Sequence, residues 1–125
     1  MAQHPVWDDR EPIYRQLRDR LAAMILDQDV KEGDALPSVR SMAADFQLNP
    51  LTVLKSYQGL VDEGVIEKHR GLGMYLAPGG RERLLDRERL RFLEHDWPAI
   101  LRTIERLGLD PKMLLTSNPT LTRPE

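Results

Sequence analysis

Two helix-start signatures lie close together near the middle of the chain, and a pair of glycines follows them. The first is Leu36-Pro37-Ser38-Val39-Arg40, where Ser38 follows a proline and can cap a helix through its hydroxyl. The second is Asn49-Pro50-Leu51-Thr52-Val53-Leu54-Lys55-Ser56-Tyr57. Asn49 is a good capping residue, and Pro50 suits the first helical position, where a missing N–H costs nothing. Gln47 and Leu48 are left as the turn between the two helices. Arg70-Gly71-Leu72-Gly73-Met74 then supplies the glycines of a tight hairpin tip. Helix, short turn, helix and hairpin, in that order, is the pattern of a winged helix-turn-helix. In such a module the second helix lies in a DNA major groove, and the hairpin touches flanking backbone or minor groove.

The flanking residues extend the pattern. A first helix is predicted over residues 11–27, with Pro12 in its first turn and Ile13, Leu17, Leu21, Met24 and Ile25 on one apolar stripe. Lys31-Glu32-Gly33-Asp34 breaks it. The second helix should bury Val39, Met42, Ala43 and Phe46, and the third Val53, Tyr57, Leu60 and Val61. Gly64 stands where a left-handed C-terminal cap belongs. Residues 65–69 and 74–77 read as short strands, and Pro78-Gly79-Gly80 closes the module. Residues 81–107 read as helical, with Leu90, Leu93, Trp97, Ile100, Leu101, Ile104 and Leu107 largely on one face. Pro98 interrupts that run, so a kink or a meeting of two helices is expected near Asp96-Trp97. Gly108 is a stop, and Asp110-Pro111 starts one further turn.

The expected fold is therefore α+β and mostly helical. A winged helix-turn-helix (three helices plus a β-hairpin wing) occupies residues 11–79, a small helical dimerisation region 80–116, and a flexible tail 117–125.

Composition narrows the functional classes. With 41% hydrophobic and 30% charged residues in 125, the chain reads as globular, with no apolar run near the 18 to 20 residues that span a bilayer. It has no cysteine, which excludes disulfides and thiolate zinc sites, and no apolar signal core near its start. A cytoplasmic location is expected, with no membrane partner. The net charge of −2 is mildly unfavourable for nucleic acid. The charge is uneven, however: residues 37–77 balance Arg40, Lys55, Lys68 and Arg70 against Asp45, Asp62, Glu63 and Glu67. Such a module can bind DNA if its cations share a face, with an affinity per domain modest enough to favour a dimer.

A recognition helix needs polar or small exposed residues near its N-terminus. Leu51, Thr52, Lys55 and Gln58 face outward on the predicted third helix. Thr52 can donate to phosphate or base, and Lys55 can reach phosphate or guanine. Leu51 could touch a thymine methyl, or simply pack on a neighbour. Arg40 either pairs with Asp45 on the surface, which is worth little, or contacts phosphate or guanine. Arg70 and Gly71 suit approach to the minor groove or phosphates, with Lys68 and His69 adding charge; the bland alternative is an ordinary turn.

Together these residues resemble the DNA-binding domain of the GntR family of bacterial transcription regulators over residues 11–78. Pro12-Ile13-Tyr14 opens the match, followed by Gly33-Asp34-Ala35-Leu36-Pro37-Ser38-Val39-Arg40. Thr52-Val53, Tyr57, Leu60, Glu63-Gly64 and Gly71-Leu72-Gly73 complete it in order. Asn49-Pro50-x-Thr52-Val53 and the short helical C-terminus resemble the YtrA-like subfamily, whose members carry a small dimerisation region in place of a large ligand domain. The resemblance implies that Ser38, Arg40, Asn49, Thr52, Lys55, Arg70 and Gly71 match positions at or near family DNA contacts. Leu51 and Leu54 depart from it, since relatives commonly hold polar or basic residues there. The implied function is a sequence-specific DNA-binding regulator, by family expectation a repressor, acting on a two-fold symmetric double-stranded operator.

Leu93, Trp97, Ile100, Leu101, Ile104 and Leu107 form an apolar stripe that must be buried, either on the chain's own first helix or in a homodimer. Residues beyond 78 are too few for the usual effector domain, although a cleft between dimer helices is left for an unidentified small molecule. No P-loop, Gly-x-Ser-x-Gly or His-Glu-x-x-His occurs, and His4, His69 and His95 are scattered, so neither an enzyme, a metal site nor a cofactor is expected. The remaining rival is a winged-helix protein–protein docking module without specific DNA binding.

Overall fold

The computed structural model describes residues 7–116; the tail expected at 117–125 and His4 lie outside the described residues. The structure is mostly helical with one two-stranded antiparallel sheet, and falls into two compact units, the first running through Asp86 and the second starting at Arg87.

In the first unit, α1 spans Ile13–Leu26, α2 Val39–Phe46 and α3 Pro50–Asp62. Pro12 is the cap rather than part of the first turn: it is extended (ψ 139°), so α1 begins at Ile13, the first residue of the apolar stripe, two residues later than a first turn holding Pro12 predicts. The helix ends where Gln28 takes a left-handed φ of 65° and the Asp29 N–H donates back to the Met24 carbonyl (2.9 Å). Leu17, Leu21 and Ile25 of α1 meet Val53, Tyr57 and Leu60 of α3, all fully buried, with Met42 and Ala43 of α2 beside them. Ile13, Met24, Val39, Phe46 and Val61, expected inside, are only partly buried.

Both expected caps form. Ser38 Oγ accepts from the Ser41 N–H (3.0 Å), and Asn49 Oδ1 accepts from the Leu51 N–H (2.8 Å). Each satisfies one of the helix's orphan donors and is worth about 1 kcal/mol. Gly64, at φ +75°, follows α3 as its left-handed stop.

The wing pairs β1 (Ile66–His69) with β2 (Gly73–Leu76), Ile66 opposite Leu76 and His69 opposite Gly73. At the tip the Leu72 N–H donates to the His69 carbonyl (2.8 Å) and Gly71 has φ +76°, a type II arrangement that only glycine adopts easily. The segment before α2 adds a third rung. Ala35 bridges to Tyr75, with the Leu36 N–H on the Met74 carbonyl (2.8 Å) and the Leu76 N–H on the Asp34 carbonyl (3.0 Å). This fixes the start of α2 relative to the wing.

Helix α4 (Gly80–Arg91) starts inside the first unit. Leu84 is fully buried in the core there, Arg83 donates to the Gly64 (3.0 Å) and Pro78 (2.7 Å) carbonyls, and Arg81 to the Leu26 carbonyl (2.9 Å). The unit thus continues past Gly79, where sequence punctuation alone places its end.

In the second unit, a π-helical turn, Phe92–Asp96, precedes α5 (Trp97–Arg106), and α6 (Pro111–Thr116) follows. The Trp97 N–H donates to the Phe92 carbonyl, five residues back. Pro98 lacks an N–H and its ring would press on the carbonyl four residues earlier, so the widened turn just before it is the local accommodation. The predicted break near Asp96-Trp97 takes this form. Gly108 (φ +69°) ends α5, and Asp110 caps α6 by accepting from the Lys112 N–H (3.0 Å).

Candidate nucleic-acid interface

The buried face of α3 carries Val53, Ser56, Tyr57 and Leu60, which leaves Leu51, Leu54, Lys55 and Gln58 on the opposite, exposed face. Their spacing of three and four places them on one stripe. Helix α2 packs against α3, and α3 against β1. The helix pair is also tied by Tyr57, whose hydroxyl donates to the Pro37 carbonyl just ahead of the α2 cap. Burial pushes the Tyr57 phenol up to about 12, so it stays a donor across the physiological range. Arg18 of α1 pairs with Glu63 at the end of α3 (2.9 Å).

The cations are exposed. Among the described residues Arg40, Lys68 and Arg70 have no side-chain hydrogen-bond or ion-pair partner. The surface pair of Arg40 with Asp45 does not form. Lys55 has a different neighbour: its Nζ lies 4.0 Å from the centroid of the Tyr14 ring on α1, a cation–π contact. His69 differs from the other wing residues. It stacks on Tyr75 (4.3 Å between centroids, 17° between planes), and its Nε2 lies 2.8 Å from Glu67 Oε2, so it is held within the wing.

Exposed, unpaired cations on α2 and the wing, together with a helix α3 whose outer face is open, are suited to a polyanion. The comparison with known families is decisive. Residues 13–76 match the model of the bacterial regulatory proteins of the gntR family, just over half the chain. The chain belongs to the GntR family.

Its relatives include the uncharacterized HTH-type transcriptional regulator YhcF of Bacillus subtilis, 28% identical over 90% of this chain and 91% of that one. The HTH-type transcriptional repressor YtrA of the same organism is 40% identical over 60% of this chain and 58% of its own length, in keeping with the subfamily resemblance. A GntR family transcriptional regulator from Listeria monocytogenes shares the fold, with a TM-score of 0.74 at 24% identity, over 93% of this chain and 100% of that one. The matched family is one of bacterial regulatory proteins, and the chain is a transcription regulator rather than an enzyme.

Set against the expected GntR contacts, Ser38, Arg40, Asn49, Leu51, Thr52, Lys55, Lys68, Arg70 and Gly71 all lie in the first unit, on α2, α3 and the wing. Thr52 is half-buried and the other eight are exposed. Ser38 and Asn49 carry a structural duty as caps, which occupies an oxygen of each and leaves their donors available. The apolar set Leu93, Trp97, Ile100, Leu101, Ile104 and Leu107 lies in the second unit. Of these Ile104 is buried, Trp97 and Leu101 are half-buried, and Leu93, Ile100 and Leu107 are exposed. Tyr14 escaped the sequence reading as a site residue. Its only signal was its place in the Pro12-Ile13-Tyr14 motif.

Proposed function

We propose that this GntR-family chain is a transcriptional repressor that binds a two-fold symmetric operator as a homodimer. The observation that carries the reading is the set of exposed cations on three successive elements, Arg40 on α2, Lys55 on α3 and Arg70 on the wing, with Arg40 and Arg70 unpaired among the described residues. In it the start of α3, Asn49 to Lys55, enters the major groove, Arg40 contacts phosphate or guanine, and Lys68, Arg70 and Gly71 approach the flanking backbone. Ser38 holds the α2 N-terminus, with its orphan N–H groups, toward phosphate. Residues 11–79 read the DNA; of residues 80–116, the first turns of α4 complete that module and the rest assemble the dimer.

Dimerisation is supported by the exposed Leu93, Ile100 and Leu107, which a single chain leaves in water. A dimer doubles the phosphate contacts available to a module of balanced charge. Repression rests on the name of the YtrA relative. Among the described residues no helix is long and apolar enough to cross a membrane, and a DNA-binding role places the protein with the chromosome in the cytoplasm. An unidentified small-molecule effector would have to sit between the dimer helices.

The test is fluorescence anisotropy of the purified protein on DNA tiled across its own upstream region, beside scrambled DNA, at two salt concentrations. Tight binding to one near-palindromic tile is expected, falling steeply with salt and lost in Arg40→Ala. Salt-independent behaviour with no preferred tile would instead fit a winged-helix docking module for a protein partner.

A further inference from the structure

The outer face of α3 is poor in free polar groups and rich in leucine. Leu51 is 73% exposed and Leu54 42%, three residues apart and therefore adjacent on the helix surface. Asn49, a residue type that reads adenine with both carboxamide atoms, accepts at Oδ1 from the Leu51 N–H, which spends one of that oxygen's two acceptor sites and fixes the carboxamide as a cap. Gln58 donates from Nε2 to Asp62 Oδ1 (2.9 Å), which occupies the same kind of reader. Lys55, held at the Tyr14 ring, is a point charge that suits phosphate rather than a base edge, and Thr52 is half-buried. The most accessible chemistry at the start of the helix is thus a pair of isobutyl groups, while the neighbouring elements α2 and the wing carry the exposed, unpaired cations Arg40, Lys68 and Arg70. A partner that meets both must be polyanionic and must also present an apolar group at the centre of the contact. The major groove offers one such group, the C5 methyl of thymine.

We infer that Leu51 and Leu54 are specificity-determining residues that read thymine C5 methyls in the operator half-sites. This rests on the DNA-binding function proposed above and adds the base chemistry it selects. Burying a methyl against leucine favours thymine over a base lacking it by about fourfold, from roughly 0.8 kcal/mol per apolar carbon. The recognition is apolar, so it should respond little to salt, whereas the cationic contacts set the salt dependence.

The experiment uses the full chain and a pool of random double-stranded oligonucleotides, from which bound duplexes are selected and a consensus read. The consensus duplex is then resynthesised with deoxyuridine for each thymine in turn, which deletes the methyl and keeps the base pair. The expected result is one or two thymines per half-site whose replacement weakens wild-type binding about fourfold each. Leu51→Ala and Leu54→Ala should bind the thymine and uracil duplexes alike at those positions. Both side chains are exposed, so helicity by circular dichroism should be unchanged. Indifference of the wild type to deoxyuridine at every position, with a consensus nevertheless selected, overturns this inference and leaves the DNA-binding function standing. Discrimination that persists in both alanine variants also overturns it. Selection of no sequence, with capture of a protein partner through the same leucines, overturns both.

Discussion

Lys55 Nζ of α3 rests 4.0 Å from the centre of the Tyr14 ring of α1, so an exposed cation of α3 is positioned by an aromatic face on another helix. A free lysine side chain would sample many rotamers, and holding it against a ring removes part of the entropy cost of contacting DNA. Tyr14→Leu should weaken operator binding by roughly twofold to fivefold, the range of a cation–π contact at an exposed site, of about 0.5–1 kcal/mol. Tyr14→Phe, which keeps the face, should restore it. Titration of both variants, together with the Lys55→Ala double mutants, checks this: the loss should vanish when Lys55 is absent.

Gly80 is fixed by shape. A Cβ there would stand 2.1 Å from the Val65 carbonyl oxygen and 3.1 Å from Leu76 Cδ1. Backbone cannot step aside cheaply, so Gly80→Ala should cost about 2 kcal/mol or more, at the upper end of overpacking effects. A fall in melting temperature of roughly 10 °C is the expected reading. Gly33, whose added Cβ would meet nothing within 4 Å but whose φ is +88°, should cost less on the same substitution, through backbone strain alone.

The caps give a sharper local test. Ser38→Ala removes the acceptor for the Ser41 N–H and should destabilise the protein by about 1 kcal/mol, while Ser38→Asp should retain the cap. Circular dichroism melts of the two variants distinguish lost capping from lost DNA contact, since the second appears only in binding.

Tyr57 predicts a response to alkali. Burial raises its phenol from 10.0 to about 12, so the folded state holds that proton more tightly than the unfolded chain does. The stabilisation is complete below pH 10 and is lost as pH climbs from there through about 12. In a spectrophotometric titration at 295 nm, Tyr57 should ionise late, above pH 10 and together with unfolding. Tyr57→Phe should abolish that late step and lower stability at neutral pH, because the Pro37 carbonyl loses its donor.

Local chemistry was readable where it acts over a few residues. Ser38, Asn49 with Pro50, Gly64 and Gly71 each announced a cap or turn, and each does that task in the structure. Pro98 announced a disturbance, though not that it would widen the helix just ahead of it. Contacts made at a distance left no such mark. The rung between Ala35 and Tyr75 is one residue long and creates no alternation of apolar and polar positions. Tyr14 reads as an ordinary half-buried helix residue until α3 is laid beside it. Gly80 reads as punctuation because its neighbour Val65 is fifteen places away, and only the fold shows it as a point of close approach. At the interface, the capping of Asn49 was legible, but the half-burial of Thr52, the exposure of Leu54 and the pairing of Gln58 with Asp62 were not, and these decide which groups remain to read a base.

The burial of Leu84 also bears on how such a protein can be rebuilt. A graft that fuses this DNA-reading module to a foreign sensor at the glycine pair would strip a leucine from the core along with the Arg81 and Arg83 clamps. The exchangeable cassette ends at Asp86, within a helix, and a donor domain must enter in helical phase.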